Sequence, residues 1–183
     1  MRKASQLLVL LIFLVVQLLA TTFSPTTLSK LMNSSTNIIE GEVIDVYSYW
    51  ADESKSKINT KIVVKVNNTI KGESLSTVEI IQPGGKIDNM ADIVHGTFDF
   101  KKGDSGLFLL IKHKGNYYIH SLSMGFYKFK YDKNTQENVL VNEIIGKDLV
   151  KNDIQLEDLS AKNQVQMYRY SDIMNKLRVM YSK

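Results

Sequence analysis

Ile58-Asn-Thr-Lys-Ile-Val-Val-Lys-Val-Asn67 is the stretch of sequence that decides the fold. Every second side chain from Ile58 to Val66 is apolar or small, the positions between are polar, and only Val63 breaks the pattern. A period of two predicts a β-strand with one face in a core and the other in water. Further short runs of strand-forming residues lie on both sides, so the sequence predicts a mainly β protein.

The preceding strand is predicted over residues 38–49 and is joined to the first by a polar hairpin connection, residues 50–57. Its apolar side chains change faces near Asp45, as expected of a first strand that bulges to serve two parts of a sheet. The unbroken apolar run at 107–111 predicts a central strand that is covered on both faces. Other strands are predicted over residues 78–82, 117–122, 126–131 and 139–141.

Two helices are predicted at the ends of this β region. Pro25-Thr26-Thr27 is typical of a helix start, and the helix that follows ends near residues 33–35. Ser171 is predicted to cap a terminal helix. The apolar faces of the two helices are Leu28, Leu31 and Met32 in the first and Ile173, Met174, Leu177, Met180 and Tyr181 in the second. The order predicts a mainly β (α+β) fold, a small antiparallel OB-like Greek-key barrel with a short N-terminal helix and a C-terminal helix.

Residues 1–23 are predicted to be a signal peptide. Arg2 and Lys3 form a positively charged start, and residues 7–20 are almost wholly apolar but shorter than the ~20 residues of an ordinary membrane span. Cleavage after residue 20, 22 or 24 is compatible with the sequence, and an uncleaved signal anchor is the alternative. We therefore expect an exported protein, with residues 24–183 as one domain and no stable membrane insertion once the leader is cleaved.

The chain contains no Cys, which excludes a lipoprotein anchor and a disulfide framework. The residues after the leader are numerous enough to build one core by burial alone. Together with the leader, this favours a bacterial secreted, periplasmic or cell-surface protein. The net charge is +4, and +2 without Arg2 and Lys3. So small an excess does not predict a nucleic-acid partner, because such proteins concentrate basic residues on one face.

A short motif resembles a protease site. Gly103-Asp104-Ser105-Gly106 matches the residues around the nucleophile of chymotrypsin-like serine proteases. An apolar strand follows at once, however, and His95 is the only His that precedes Ser105, whereas the triad needs a His held by an Asp. The motif therefore predicts a turn that leads into a strand, and no catalytic residue is predicted.

Metal and phosphate sites are also not predicted. His113 and His120 flank a hairpin turn and could meet across it, and Asp88 and Asp92 could bind calcium weakly. Neither pair has the ligand spacing of a dedicated metal site. Gly84-Gly85-Lys86 lacks the spacing of a phosphate loop. Seven lysines between residues 101 and 133 are predicted to lie on solvated strand faces and turns. The sequence thus predicts no metal and no cofactor.

The candidate binding surface starts where Pro83-Gly84-Gly85 interrupts the strand pattern. The loop that runs on to Phe100 is long for a compact domain, and such loops often carry function. Phe98 and Phe100 are predicted to pin this loop to the body. Aromatic residues that end the first strand can stack ligands, although packing at the edge of the core is the alternative. The predicted surface comprises Tyr47, Tyr49, Trp50, Gln82, Pro83, Gly84, Gly85 and His95.

Four segments carry a resemblance to known proteins: Ile38-Ile-Glu-Gly-Glu-Val-Ile-Asp-Val46, Val64-Lys-Val-Asn-Asn-Thr-Ile-Lys-Gly72, Gln82-Pro-Gly-Gly85, and Phe100-Lys-Lys-Gly-Asp104 with Phe108-Leu-Leu110. Together they resemble an uncharacterised family of exported bacterial domains with a Gln-Pro-Gly-Gly motif, over roughly residues 28–129. That family is distantly similar in strand order to the netrin-like and tissue-inhibitor-of-metalloproteinase barrels. The resemblance implies an OB-like fold and export. Such inhibitors place an N-terminal Cys on a protease zinc, and this chain has no Cys.

The function predicted from the sequence is that of a secreted or periplasmic bacterial binding module, not an enzyme. Its expected partner is an extracytoplasmic protein or a surface polymer. One alternative is an inhibitor or accessory protein of a co-secreted protease. A second alternative, from a different class, is a hydrolase.

Overall fold

The structure, a computed structural model, describes residues 25–143, 149–160 and 165–181. The predicted signal peptide at residues 1–23 lies outside the described residues. Over the described part, the protein is mainly β, with a large antiparallel-rich sheet and two helices. None of the helices described is long and apolar enough to cross a membrane.

The strands and helices follow one another along the chain in an order close to the predicted one. A 3₁₀ turn, Leu122–Gly125, lies between two of the strands. The elements are β1 (Thr26–Thr27), α1 (Leu28–Ser34), β2 (Asn37–Trp50), β3 (Ile58–Lys71), β4 (Thr77–Pro83), β5 (Gly85–Ile87), β6 (Met90–Asp92), β7 (Ser105–His113), β8 (Asn116–Ile119), β9 (Phe126–Asp132), β10 (Glu137–Asn142), β11 (Val150–Lys151), β12 (Gln166–Arg169) and α2 (Tyr170–Tyr181). The main sheet has the order β12-β10-β9-β7-β2-β3-β4-β8, while β1 pairs with β11 and β5 with β6.

The sheet branches at β7. One edge of β7 pairs with β2, and its other edge pairs with β9 at residues 106–108 and with β8 at residues 110–113. β8 also meets β4 in parallel, at Tyr117 and Ile80. The strands β2, β3, β4, β8 and β7 therefore close into a ring, and β9, β10 and β12 extend the sheet away from it.

The predicted alternation of buried and exposed side chains is confirmed in β3. Ile58, Thr60, Ile62 and Val64 are buried, and the residues between them are partly exposed. The predicted change of face in β2 is also confirmed, because the pairing of β2 with β3 shifts register at three places, the last of them between Val43 and Asp45. Such bulges let one long strand bend around the ring.

Two apolar cores lie on opposite faces of β7, which confirms the predicted strand covered on both sides. Leu107 and Leu109 pack with the two helices, whereas Phe108 and Leu110 point into the ring, and all four are fully buried. Each such side chain stabilises the fold by about 1.5–3 kcal/mol relative to an exposed one.

The two predicted helices are present, with one correction. α1 buries its predicted apolar face, and the hydroxyl oxygen of Thr27 caps it by accepting a hydrogen bond from the Lys30 amide at 3.2 Å. α2 follows β12 directly and begins at Tyr170, so Ser171 lies inside its first turn. The predicted Ser171 cap is therefore wrong, and the Ser171 hydroxyl instead lies 3.4 Å from the Asp172 carboxylate. α2 flanks the sheet, with Ile173 and Leu177 fully buried.

The sequence also missed some strands. The long loop predicted after Pro83 contains a small hairpin, in which Gly85 pairs with Asp92 and Ile87 with Met90. β12 was not predicted either, and it extends the sheet from β10. These strands have three or four residues, too few for an alternating pattern to stand out.

Candidate binding site

A cavity of about 450 Å³ lies at one end of the strand ring, between β2, β3 and β4 and the segment that follows β4. We call it the mouth cavity, and we call residues 84–100 the cover segment. The ring contributes two hydroxyls and one amide, and the cover segment contributes apolar and charged side chains. The lining residues are Val46, Ser48, Thr60, Gln82, Gly84, Gly85, Lys86, Asp92, Ile93, Val94, Thr97, Phe98, Asp99 and Phe100.

Gly85 lets the cover segment approach the floor of the cavity. A Cβ on Gly85, where φ is +148°, would lie 2.5 Å from the hydroxyl oxygens of both Ser48 and Thr60. The Thr60 hydroxyl donates to the Gly84 carbonyl at 2.8 Å, so the Ser48 hydroxyl donates to Thr60 across 3.2 Å. The Lys86 amide donates in turn to the Ser48 oxygen at 3.2 Å. Both hydroxyls are thus committed to holding the cover segment.

The rest of the cover segment is fastened at several further points. The Asp92 carboxylate accepts a hydrogen bond from the Ile58 amide at 3.3 Å, and the Gln82 side-chain amide donates to the Phe98 carbonyl at 3.0 Å. The rings of Phe98 and Phe100 lie 4.9 and 4.7 Å from that of Phe126, which confirms that these two residues pin the segment to the body. Aromatic pairs at these distances are favourable beyond the area that they bury.

Two large apolar side chains of the cover segment face solvent. Ile93 is 78% exposed and Met90 is 54% exposed, although the segment that carries them is held by hydrogen bonds and aromatic packing. Because Ile93 also lines the cavity, these two side chains make the cover segment a candidate surface for contact with a partner.

The structure brings together part of the predicted surface. Gln82, Gly84 and Gly85 lie in the wall of the mouth cavity, and Pro83, between them, pairs with Asn59. His95 is exposed on the cover segment but does not line the cavity. The Gln-Pro-Gly-Gly segment is therefore where the ring passes into its cover.

The aromatic residues of β2 are placed differently. Tyr47 and Tyr49 alternate with Val46 and Ser48, so they point away from the cavity that these two line. The Tyr47 ring lies on the outer face, 44% exposed, with the Lys61 ammonium 5.8 Å from its centroid. Trp50 is half-buried opposite Ile58 and does not line the cavity. The predicted residues thus fall on two faces of one strand.

Ser48 and Thr60 were missed as site residues. The available signal was Thr60, the single polar residue in the buried register of β3. A hydroxyl at such a position needs a hydrogen-bonding partner when it is buried. The sequence does not indicate that the partner is the carbonyl of Gly84.

A contact between Ser34 and His120 was also missed. The Ser34 hydroxyl donates to the Lys30 carbonyl at 2.6 Å, so the His120 Nε2–H donates to Ser34 across 2.7 Å. His120 Nδ1 is then left to accept from the Ser121 hydroxyl at 2.8 Å. Burial of the imidazole, followed by the charge of Lys30, lowers the pKa of His120. A His that donates to a Ser does not act as its base, so this contact links α1 to the end of β8.

The other candidate sites are separated by the fold. His113 pairs with Asn116, whereas the His120 amide bonds to Leu109, about 13 Å further along β7. Asp88 occupies the hairpin tip, where φ is +51°, and Asp92 its base. No group of three or more metal-binding acidic, His or Cys side chains occurs in the described part of the chain.

The protease-like motif forms a turn and the start of a strand, as predicted. Gly103, with φ of +92°, donates its amide to the Val43 carbonyl at 2.8 Å, and Ser105 pairs with Glu42 at the start of β7. The Asp104 carboxylate accepts bonds from the Lys101 amide at 2.8 Å and from the Lys128 ammonium at 2.5 Å.

Six of the seven lysines predicted to be solvated are exposed, and four of the seven lie beside carboxylates. Lys112 and Lys101 are 3.3 and 3.8 Å from acidic partners, and Lys130 pairs with Glu143. Exposed pairs of this kind contribute about 0–1 kcal/mol each. Their positive charge is offset locally, which does not favour an anion-binding patch.

No family model, curated protein or solved structure matches the chain. The resemblance built on the Gln-Pro-Gly-Gly segment therefore stays a prediction.

Proposed function

We propose that this protein is an exported binding module, not an enzyme, that holds a protein or polymer ligand at the mouth cavity. We further propose that the strand ring is an OB-like Greek-key barrel. The order β2-β3-β4-β8-β7 with one parallel pair supports that assignment, since OB-folds are five-stranded, partly open barrels that bind ligands on a strand face and adjoining loops. The observation that carries the functional proposal is the exposure of Ile93 and Met90 on a fastened cover beside the cavity.

The chemistry of the cavity supports a ligand with both apolar and polar groups. Val46, Ile93 and Phe98 supply apolar surface. The second oxygen of the Asp92 carboxylate and the ammonium of Lys86 have no hydrogen-bonding partner within the described residues, so both are available to a ligand. Binding sites typically combine a mostly apolar lining with a few such polar groups.

The arrangement favours binding over hydrolysis. The hydroxyls of Ser48 and Thr60 form a chain that ends on the Gly84 carbonyl, and that chain holds the cover segment in place. A nucleophile needs a neighbouring base to take its proton. The proton of Thr60 is directed at a carbonyl oxygen instead, and that of Ser48 is directed at Thr60.

The proposal is tested by photo-crosslinking the purified protein to intact cells of its source and comparing two variants. We expect Ile93→Asp to abolish the crosslinked product, because a charge replaces an exposed apolar contact. The matched control is Val179→Asp on α2, since Val179 is 79% exposed and Ile93 is 78% exposed. Equal crosslinking by both variants and the unchanged protein would contradict the proposal.

The inhibitor alternative rests on the same hairpin, because Met90 projects near its tip. Under that alternative, the protein lowers the activity of a co-secreted protease at stoichiometric ratios, and Met90→Asp relieves the inhibition. Capture of a non-protease ligand, with no loss of protease activity at stoichiometric ratios, favours the binding module instead.

A further inference from the structure

The far half of β2 has an open edge. β7 covers this side of β2 only from Asn37 to Glu42, and the last bonds on this side join Val43 to Gly103 and Asp104 at 2.8 Å each. From there to Trp50, no strand in the described part of the chain pairs with this edge.

The register of the β2–β3 hairpin decides which backbone groups face that edge. The Ala51 amide bonds to the Lys57 carbonyl at 2.9 Å, so Ala51 and, by alternation, Tyr49 and Tyr47 direct their amides and carbonyls towards β3. Val46, Ser48 and Trp50 therefore direct theirs to the open side. The Val46 amide is occupied, since it donates to the Asp45 carboxylate at 2.9 Å.

Open backbone groups remain at three places along this edge. They are the carbonyl of Val46, the amide and carbonyl of Ser48, and the amide and carbonyl of Trp50. No described residue forms a hydrogen bond with any of these groups. Proteins usually protect such an edge with Lys, Pro or a bulge. Residues 46–50 contain neither Lys nor Pro, and the bulge lies at one end, between Val43 and Asp45. The edge is thus unprotected around Ser48.

The surroundings of the edge suit an added strand. Val46 and Ser48 line the mouth cavity on one face of β2, with Phe98 also in its wall. On the other face, Tyr47 and Ile44 are 44% and 38% exposed. A strand lying about 4.8 Å from β2 would direct alternate side chains into the cavity and towards Tyr47.

We propose that the partner is a protein that binds by strand addition, through an extended segment that pairs with β2 around Ser48. The segment carries apolar side chains at every second position, because those residues meet Val46 and Phe98 in the cavity. Main-chain hydrogen bonds then supply affinity, and the cavity supplies specificity. This inference deepens the proposed function and rests on it for the location of the site.

The test uses ten-residue random peptides displayed on phage and selected on the full exported protein. Selected peptides are then synthesised with one N-methyl group at each position in turn. We expect affinity to fall about tenfold at up to three alternate positions, those whose amides face the carbonyls of Val46, Ser48 and Trp50, because a hydrogen bond of about 1.4 kcal/mol is lost at each. Affinity should change little at the other positions. Failure to select peptides, or a uniform response to methylation, would overturn strand addition.

Amide hydrogen exchange on the bound protein gives an independent readout. We expect the Ser48 and Trp50 amides to become protected on binding, and those of Tyr47 and Tyr49, already bonded to β3, to stay unchanged. Protection confined to the cover segment would overturn strand addition.

Two variants separate the backbone of Ser48 from its side chain. Ser48→Ala and Ser48→Pro both remove the hydroxyl, but only Ser48→Pro removes the amide that faces the open edge. Both variants lose the hydroxyl that helps to hold the cover segment, so Ser48→Ala is the baseline for Ser48→Pro. We expect Ser48→Pro to bind selected peptides at least tenfold more weakly than Ser48→Ala, and equal binding by the two variants would contradict the inference. If Ser48→Pro fails to fold, the methylation and exchange patterns decide.

The proposed function and strand addition can fail separately. Peptides whose binding needs Ile93 but whose affinity does not alternate with the position of the N-methyl group would leave the proposed function standing and refute strand addition. If the effect of N-methylation does alternate but Ile93→Asp leaves the crosslinking to cells unchanged, strand addition would stand and the proposed function would be refuted.

Discussion

The α-carbon of Gly85 lies so close to Thr60 that a single added methyl group would stand 2.5 Å from the Thr60 hydroxyl oxygen. The same hydroxyl holds the neighbouring carbonyl of Gly84 at 2.8 Å. The cover segment is thus seated on β3 by a close approach that only glycine permits, which makes Gly85 the most direct test of how the mouth cavity is built.

We expect Gly85→Ala to lower the free energy of unfolding by about 2–4 kcal/mol, because the methyl group clashes with two hydroxyls in addition to straining the backbone. The control is Gly115→Ala, at φ of +85° with no atom near the new methyl group, which should cost about 1–2 kcal/mol. Urea denaturation measures both. Equal losses of unfolding free energy in the two variants would show that the close contact of residue 85 with Ser48 and Thr60 does not limit which side chain fits there.

Tyr127→Phe should stabilise the protein. The Tyr127 hydroxyl is buried and has no hydrogen-bonding partner among the described residues, and burial raises the pKa of this phenol. Removing an unsatisfied buried hydroxyl should raise the free energy of unfolding by about 1 kcal/mol. By contrast, Tyr181→Phe should lower it by about 0.5–1.5 kcal/mol, since that hydroxyl lies 3.1 Å from the Asn33 side-chain oxygen. If Tyr127→Phe lowered the free energy of unfolding as much as Tyr181→Phe does, the Tyr127 hydroxyl would have to have a hydrogen-bonding partner, and the prediction would be refuted.

His120 should make stability depend on pH. Burial and then Lys30 lower its pKa below the ordinary 6.5, so the unfolded chain binds the proton more tightly. The free energy of unfolding should therefore fall as the pH drops from about 7.5 through 6.5 towards 5. Denaturation across this range should show a smaller fall for His120→Gln than for the unchanged protein. His113→Gln, at an exposed position, serves as the control and should retain the full dependence.

Lys71 should stabilise the end of α1. Its ammonium donates to the carbonyls of Met32 and Asn33 at 3.1 and 2.7 Å and lies 4.9 Å from the centroid of the Tyr181 ring. We expect Lys71→Met to lower the free energy of unfolding by about 1–2 kcal/mol, because it removes a cation from the last carbonyls of the helix. Thermal denaturation measures both this variant and the control Lys65→Met, which removes a lysine from an exposed position on β3. Matching changes in the two variants would argue against a capping role.

Parts of the fold were predictable because they depend on neighbours in the chain. The alternation of β3 and the apolar run of β7 indicate which side chains are buried, and the residues before α1 indicate where the helix begins. Each of these patterns involves only residues that are close together in the chain. The change of face in β2 could be predicted for the same reason, because a bulge shifts the alternation of side chains within a single strand.

The candidate site was predictable only in part. The Gln-Pro-Gly-Gly segment marks a break in strand structure, and its Gly84 and Gly85 do occupy positive φ. The position of the aromatic side chains was less predictable, since a one-residue difference in register decides whether Tyr47 or Ser48 faces the cavity. The contact of Ser34 with His120, 86 positions apart, has no local pattern at all.

By itself, then, the sequence determined where the longer strands and the two helices lie and which faces of β3, β7 and α1 are buried, because these patterns act between residues a few positions apart. The tertiary structure alone decided how those strands close on one another. It placed β8 and β9 on one edge of β7, closed the ring through Tyr117 and Ile80, and left β2 open beyond Val43. These pairings join distant segments whose local patterns are alike, so only the joint packing of both cores selects among them.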